Sequence, residues 1–97
     1  MMAANFRIFV HRNSDTLHLK LMGDFDGSSA WELLNVLKKS VQGVFRVIIH
    51  TNSLKNIYPF GRDTFQKNLR DLKNRTDRIL FTGEKASQIA PEKSSCI

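Results

Sequence analysis

Apolar and polar side chains alternate from residue 6 to 11 and again from residue 17 to 22, which is the period of a half-buried β-strand. The turn-forming run Asn13-Ser14-Asp15 separates the two stretches. We therefore expect an antiparallel hairpin with one buried face. The apolar positions of that face are Phe6, Ile8, Val10, Leu17, Leu19 and Leu21.

A helical period follows a break in the second strand at Gly23–Gly27. Asp26, Ser28 or Ser29 can cap this first helix, and Ser29 with Glu32 three residues later also fits a capping box. The positions that recur on one side of the helix are Ala30, Leu33, Leu34, Leu37 and Val41.

The run from Val44 to Ile49 is apolar except for Arg46, which predicts a central strand covered on both faces. A polar loop, His50–Asn56, is expected to follow. The rigid turn Tyr58-Pro59-Phe60-Gly61 then leads into a second helix that begins near Arg62. The inward positions of this helix are Phe65, Leu69 and Leu72, and Asn74 is its predicted end.

Two short elements complete the predicted order β-β-α-β-α-β-α. Residues 79–82 read as a fourth strand, and residues 83–90 as a short third helix with Ile89 facing inward. The tail from about residue 92 is expected to be frayed. Strands that alternate with helices indicate an α/β fold, with a four-stranded mixed sheet packed with helices in a single domain over residues 1–97.

Composition places the chain among globular proteins, because 41% of its 97 residues are hydrophobic and 25% are charged. No apolar run is long enough to span a bilayer, and no signal-peptide pattern opens the chain, so we expect neither a membrane partner nor secretion. The lone Cys96 cannot form an intrachain disulfide, which favours a cytoplasmic location. A net charge of +6 is typical of domains that bind nucleic acid, an anionic membrane surface or an acidic protein, but charge that keeps the chain soluble is the simpler interpretation.

The order of elements, with Gly23-Asp24-Phe25-Asp26 after the second strand and Phe60-Gly61 before the second helix, resembles a STAS domain. This is the fold of bacterial anti-sigma-factor antagonists and of the cytoplasmic tails of sulfate transporters. Further positions that match the family pattern are Val47, Ile48, Ile49, Leu54 and Ile57, and the resemblance covers roughly Leu17 to Ala90. It implies a non-enzymatic module without a cofactor that binds a regulatory protein, such as an anti-sigma factor or a sensor kinase, in transcription regulation.

The chain departs from the STAS pattern in the loop that carries the family's phosphorylation site. His50 stands where the family's strand ends in Asp, and Tyr58-Pro59-Phe60 replaces Asp-Ser-Ser or Asp-Ser-Thr. Pro59 and Phe60 have no hydroxyl, so we expect no phosphorylation at the family position. The hydroxyls that remain in this region are those of Tyr58, Ser53 and Thr64.

The resemblance and the residue chemistry together predict a partner-binding surface made of the Gly23–Gly27 turn, the His50–Gly61 loop and the start of the second helix. Its candidate residues are Asp24, Asp26, His50, Lys55, Tyr58, Phe60 and Arg62. Two alternatives stay open: Phe60 either anchors the partner or fills the core beneath the second helix, and capping of the first helix is the simpler role of Asp26.

Other constellations are weaker. His11 and His18 would lie opposite each other across a two-residue hairpin loop, but a zinc site normally needs three protein ligands, and His50 is distant along the chain. We therefore predict no metal site and no catalytic residue. A basic cluster, of which Lys67, Arg70 and Lys73 lie on one side of the second helix, supports an alternative function, nucleic-acid binding, although interspersed acids dilute it. Its members are Lys67, Arg70, Lys73, Arg75 and Arg78.

Overall fold

Five strands of the described chain form one sheet whose spatial order follows the sequence. The computed structural model describes residues 5–40, 45–70, 78–91 and 95–96. Its elements are β1 (Arg7–Asn13), β2 (Thr16–Phe25), α1 (Gly27–Ser40), β3 (Arg46–Ile57), α2 (Pro59–Leu69), β4 (Ile79–Thr82), α3 (Ala86–Ile89) and β5 (Ser95–Cys96). Only the β1–β2 pairing is antiparallel. The predicted element order and the mixed α/β sheet are confirmed, and β5 adds a two-residue strand at its edge, where a frayed tail was expected.

The first two strands form the predicted hairpin. Asn13 pairs with Thr16, so the loop is Ser14–Asp15, and His11 lies opposite His18 as the two-residue loop requires. The first loop residue has a φ of 59°, a positive value typical of such tight hairpin loops.

Burial along the hairpin decreases toward its outer edge. Leu19 and Leu21 are fully buried, whereas Ile8 is half-buried and Val10 is 57% exposed. Val10 belongs to the predicted buried face, but β1 is the edge strand and the helical layer does not cover its far end.

The prediction that His50–Asn56 form a polar loop is wrong, because these residues continue β3. Two of them turn toward the core: Thr51 and Leu54 are buried. The Thr51 hydroxyl donates a 2.9 Å hydrogen bond to the Thr82 carbonyl oxygen on β4. Backbone pairing and these two buried side chains hold a polar segment in the sheet.

Two shifts in register let β3 stay paired with β2 over this segment. Lys20 pairs with His50 and Met22 with Ser53, so β3 carries one residue more than β2 between these partners. A second shift follows just after Gly23, whose φ of 93° favours glycine. Each bulge changes which face the next residues of β3 occupy.

The helices pack on one face of the sheet. Strands β2, β3 and β4 are parallel neighbours in chain order, and right-handed crossovers in one direction place each helix on the same side. The core includes Leu19, Ile49 and Phe81 from strands and Leu33, Phe65 and Ile89 from helices. On the opposite side, here called the open face, Ile48 and His50 are half-buried and Lys20 is exposed. The prediction that the third strand is covered on both faces is therefore wrong.

The first helix is capped by Asp26 and not by the predicted capping box. The Oδ1 atom of Asp26 accepts a 2.9 Å hydrogen bond from the Ser29 backbone N–H. The Ala30 N–H donates to the Asp26 carbonyl oxygen. The Ser29 hydroxyl is buried and donates to the Asp24 carbonyl and to Asp26. The predicted inward positions Ala30, Leu33, Leu34 and Leu37 are all buried, while Val41 lies outside the described residues.

The second helix begins three residues earlier than predicted, at Pro59. Proline is favoured at the first helical position, where its missing N–H costs no hydrogen bond. Phe65 and Leu69 face the core as predicted, and the predicted positions Leu72 and Asn74 lie outside the described residues. Phe65 also makes edge-on ring contacts that join strands β2 and β4 to the helix.

The short third helix matches its prediction at Ile89, which is fully buried. The side chain of Gln66 on α2 donates to the carbonyls of Ile89 and Ala90 and so fixes the end of α3. Among the described residues, no helix is both long and apolar enough to cross a membrane.

The capping role of Asp26 predicts that Asp26→Ala lowers the free energy of unfolding by about 1 kcal/mol, since the first turn of α1 loses its side-chain acceptor. Glu32→Ala is the matched control, because the capping box would require Glu32 and the observed cap does not. Denaturant unfolding at neutral pH measures both. A larger loss for Glu32→Ala than for Asp26→Ala would contradict the assignment.

The same cap predicts a pH dependence. The backbone hydrogen bond from Ser29, helped by the Ser29 and Ser28 hydroxyls, holds the pKa of Asp26 below its usual value. A carboxyl whose pKa is lowered by folding stabilises the fold above the unfolded pKa, about 4. The difference between the parent and Asp26→Ala should therefore shrink as the pH falls below about 4, and unfolding curves across this range will measure it.

The contact between the two long helices predicts that Gly61→Ala is destabilising by on the order of 2 kcal/mol. A Cβ at Gly61 would lie 2.7 Å from the backbone oxygens of Phe25 and Asp26, which cannot move aside. At Gly27 an added Cβ meets only the Phe60 ring, an exposed side chain that can rotate away. In thermal unfolding, the melting temperature of Gly61→Ala should be well below that of Gly27→Ala. Equal melting temperatures would refute the tight contact at Gly61.

Candidate functional site

The first turns of α1 and α2 lie side by side where β2 and β3 end, which places much of the predicted partner surface together. Gly61 packs directly against the backbone of Phe25 and Asp26. The Tyr58 N–H donates a 3.0 Å hydrogen bond to the Phe25 carbonyl oxygen, so the turn before α2 remains part of the sheet. This helix junction lies at the carboxyl ends of parallel strands, the usual position of binding sites in α/β folds.

Two aromatic side chains project from the helix junction into solvent. Tyr58 is 47% exposed and Phe60 is 73% exposed. The Phe60 ring lies over Gly27 at the start of α1, and Phe65 occupies the core beneath α2 instead. The alternative in which Phe60 fills the core is therefore wrong.

A third exposed aromatic was missed by the sequence interpretation. Trp31 is 46% exposed and lies one helical turn after Gly27, over which Phe60 packs. The exposure of Trp31 could have been predicted from the sequence, because this tryptophan lies on the polar side of an amphipathic helix. Tyr58, Phe60 and Trp31 are together called the aromatic edge.

The polar candidates at the helix junction have local partners. Asp24 Oδ1 accepts a 2.9 Å hydrogen bond from the Asn56 amide, and Asp26 is occupied as the α1 cap, its simpler predicted role. Arg62 is exposed and lies 3.3 Å from Asp63. An exposed ion pair such as Arg62–Asp63 adds little stability.

Two predicted site residues do not belong to the helix junction. His50 lies in the middle of β3 and not at its end, on the open face. Lys55 lines a cavity on the open face together with Arg7. The extension of β3 explains both positions, since residues expected in one loop are distributed along a strand.

The open face brings together histidines that are distant in sequence. Nδ1 of His18 lies 2.9 Å from Nε2 of His50, and the ring of His11 is centred 6.2 Å from that of His18. His50 is distant along the chain but lies beside His18, because parallel pairing of β2 with β3 spans the long helical connection.

The His18–His50 pair is an imidazole–imidazole hydrogen bond. The ring planes differ by 17°, and the 5.2 Å between ring centres is close to the 2.9 Å N–N distance plus one ring radius at each end. The rings therefore meet edge to edge, with one neutral ring donating and the other accepting. Burial lowers the pKa of His50, and electrostatic repulsion from His18 and Lys20 lowers it further, so protonation of the His50 ring is disfavoured.

Two adjoining cavities form what is here called the open-face groove. The larger, about 450 Å³, is lined by the three histidines, Phe9, Lys20 and the polar side chains of β3 just beyond His50. The smaller, about 250 Å³, shares Phe9 with it and adds Arg7 and Lys55. Within the described ranges, no group of three histidine, cysteine or acidic side chains could hold a metal ion.

Three of the five residues of the predicted basic cluster, Lys67, Arg70 and Arg78, lie in the described part of the chain. Lys67 and Arg70 are exposed at the end of α2. Arg78 instead lies with Arg46 beside the exposed ring of Phe45, 5.8 and 5.7 Å from its centre. Lys73 and Arg75 lie outside the described residues.

Comparison with known proteins supports the fold and not a specific activity. No protein-family model matches the sequence, and no curated protein matches it at a significant level. Among solved structures, the crystal structure of Mglu matches with a TM-score of 0.65 and 24% identity over 89% of this chain, which spans only 20% of the length of Mglu.

Two smaller proteins match over most of their own length. The anti-sigma factor antagonist SpoIIAA in its unphosphorylated form has a TM-score of 0.63 and 15% identity, covering 95% of this chain and 86% of its own. A DUF3478-family protein with a SpoIIAA-like fold from Shewanella loihica has a TM-score of 0.63 and 14% identity, covering 100% and 89%. Identities this low speak for architecture alone, and the chain accordingly has the STAS-like α/β fold that its sequence resembles.

Proposed function

We propose that the chain is a non-enzymatic module that binds a regulatory protein in a bacterial cytoplasm, as an anti-sigma-factor antagonist does. The observation that carries this proposal is the 73% exposure of Phe60, an apolar ring that projects from the helix junction. Large exposed aromatic side chains at a defined position are the usual anchors of protein interfaces. The similarity in fold to an anti-sigma factor antagonist supports an anti-sigma factor or a sensor kinase as the partner and transcription regulation as the process.

The backbone that carries Tyr58 and Phe60 is constrained, which favours binding over switching. Pro59 fixes the backbone at the first position of α2, and the Tyr58 N–H is bonded to Phe25. Phe60 rests on Gly27, where a larger residue would collide with its ring. A rigid anchor loses little conformational entropy when a partner binds.

The same geometry supports binding that does not depend on phosphorylation at the turn. Pro59 and Phe60 offer no hydroxyl where the STAS resemblance puts the phosphorylated residue. The nearby Asp26 is engaged as a helix cap, and Asp24 accepts from Asn56, so neither carboxylate is arranged as a general acid or base. We therefore infer a constitutive interaction module and not an enzyme.

The proposal predicts that Tyr58→Ala combined with Phe60→Ala abolishes capture of the regulatory partner. The tagged protein would be incubated with a lysate of its native host, and mass spectrometry would identify what it retains. The parent should retain a kinase-like anti-sigma factor, and the double variant at least tenfold less of it. Circular dichroism should show an unchanged fold, because neither side chain belongs to the core.

Phe45→Ala is the matched control. It removes a ring that is 61% exposed at the opposite end of β3, so it changes a similar apolar area away from the helix junction. Capture should survive this change. If the double variant and the parent retain the same regulatory protein equally well, the aromatic edge is not the binding surface.

A further inference from the structure

The side chains of the open-face groove provide positive and hydrogen-bonding groups but no negative charge. Arg7, Lys20 and Lys55 line its two cavities together with the histidines, and no carboxylate does. Asp24, which follows Gly23 of the smaller cavity along β2, accepts a hydrogen bond from the Asn56 amide. A groove whose charged side chains are all positive concentrates anions.

The groove also contains flat, unsaturated rings. Phe9 is 50% exposed and lines both cavities, as Ser53 does. The His18–His50 pair lies beside it in the larger cavity. When the pair is neutral, the donating ring has an acceptor nitrogen left and the accepting ring has an N–H left, so the pair can offer one donor and one acceptor to a ligand.

Positive charge, an exposed ring and hydrogen-bonding edges along one groove match the chemistry of a single nucleic-acid strand. Phosphates pair with lysine and arginine, while bases stack on aromatic side chains and are read at their edges. A duplex fits less well, because its bases are already stacked and paired and cannot stack on Phe9. A mononucleotide would occupy only one of the two cavities.

We propose that the open-face groove binds a single-stranded nucleic acid, with one base stacked on Phe9 and successive phosphates near Lys20 on one side of it and Arg7 on the other. This site is distinct from the aromatic edge, since the groove lies on the side of the sheet away from the helices. It is also distinct from the basic end of α2, which the sequence alone suggested as a nucleic-acid surface.

Fluorescence anisotropy with labelled oligouridylate and oligothymidylate of about 10 nucleotides, within the length that single-strand domains cover, tests the proposal. Binding of either strand, weakening steeply as salt rises, is expected. Phe9→Ala should weaken it roughly tenfold by removing the stacking ring. Lys20→Gln should weaken it and reduce the salt dependence by about one phosphate contact.

Matched controls separate the groove from general attraction to a basic protein. Lys67→Gln removes the same charge from α2, and Phe45→Ala removes a comparably exposed ring elsewhere. Both should bind like the parent, and circular dichroism should confirm that all variants are folded. Losses as large in these controls as in Phe9→Ala and Lys20→Gln would overturn the groove assignment.

Competition decides the chemistry of the ligand. Unlabelled oligonucleotide should displace the probe, whereas poly-glutamate, which has charge but no rings, should displace it only weakly. Equal displacement by poly-glutamate would overturn the stacking contribution. Displacement by uridine monophosphate at the same concentration as the oligonucleotide would identify a small-molecule site instead of a strand-binding groove, and absence of any binding at low salt would reject the proposal altogether.

Discussion

The parallel pairing of β2 with β3 is the interaction on which both candidate surfaces depend. The ladder runs from Thr16 opposite Arg46 to Phe25 opposite Ile57 and continues through two bulges. At its carboxyl end, it brings the starts of α1 and α2 into contact through Gly61. In the middle of the ladder, His50 lies beside His18, although the whole of α1 separates the two residues along the chain.

The two sides of the sheet differ because the helices cover only one of them. On the covered side, the polar groups near the helix junction are engaged in the fold: Asp26 caps α1, and the buried Ser29 hydroxyl has two acceptors. What remains for a partner there is mainly aromatic surface. On the open face, the cations and imidazoles contribute little to holding the fold together. The groove is therefore positively charged, which the overall charge of the chain only suggests.

Much of the fold could be predicted because local patterns and tertiary packing agree. The leucines of β2 alternate as a half-buried strand should, and the first helix buries its expected positions through Leu37. Predictions failed where polar side chains suggested a loop although the backbone forms a strand. Residues 50–56 read as a loop, yet β2 and β4 supply hydrogen-bond partners, and Thr51 is buried with its hydroxyl bonded. The capping box failed because Asp26 was a competing acceptor at a better position.

The sequence by itself determined the order of the elements, the hairpin register and the absence of a hydroxyl at Pro59 and Phe60, since these follow from neighbouring residues and their periods. Tertiary structure decided which polar residues meet. The exposure of Phe60, the displacement of Lys55 from the helix junction and the His18–His50 hydrogen bond all depend on strand register and on which face each crossover covers. These are long-range choices, and a one-residue bulge in β3 is enough to move a side chain from one face of the sheet to the other.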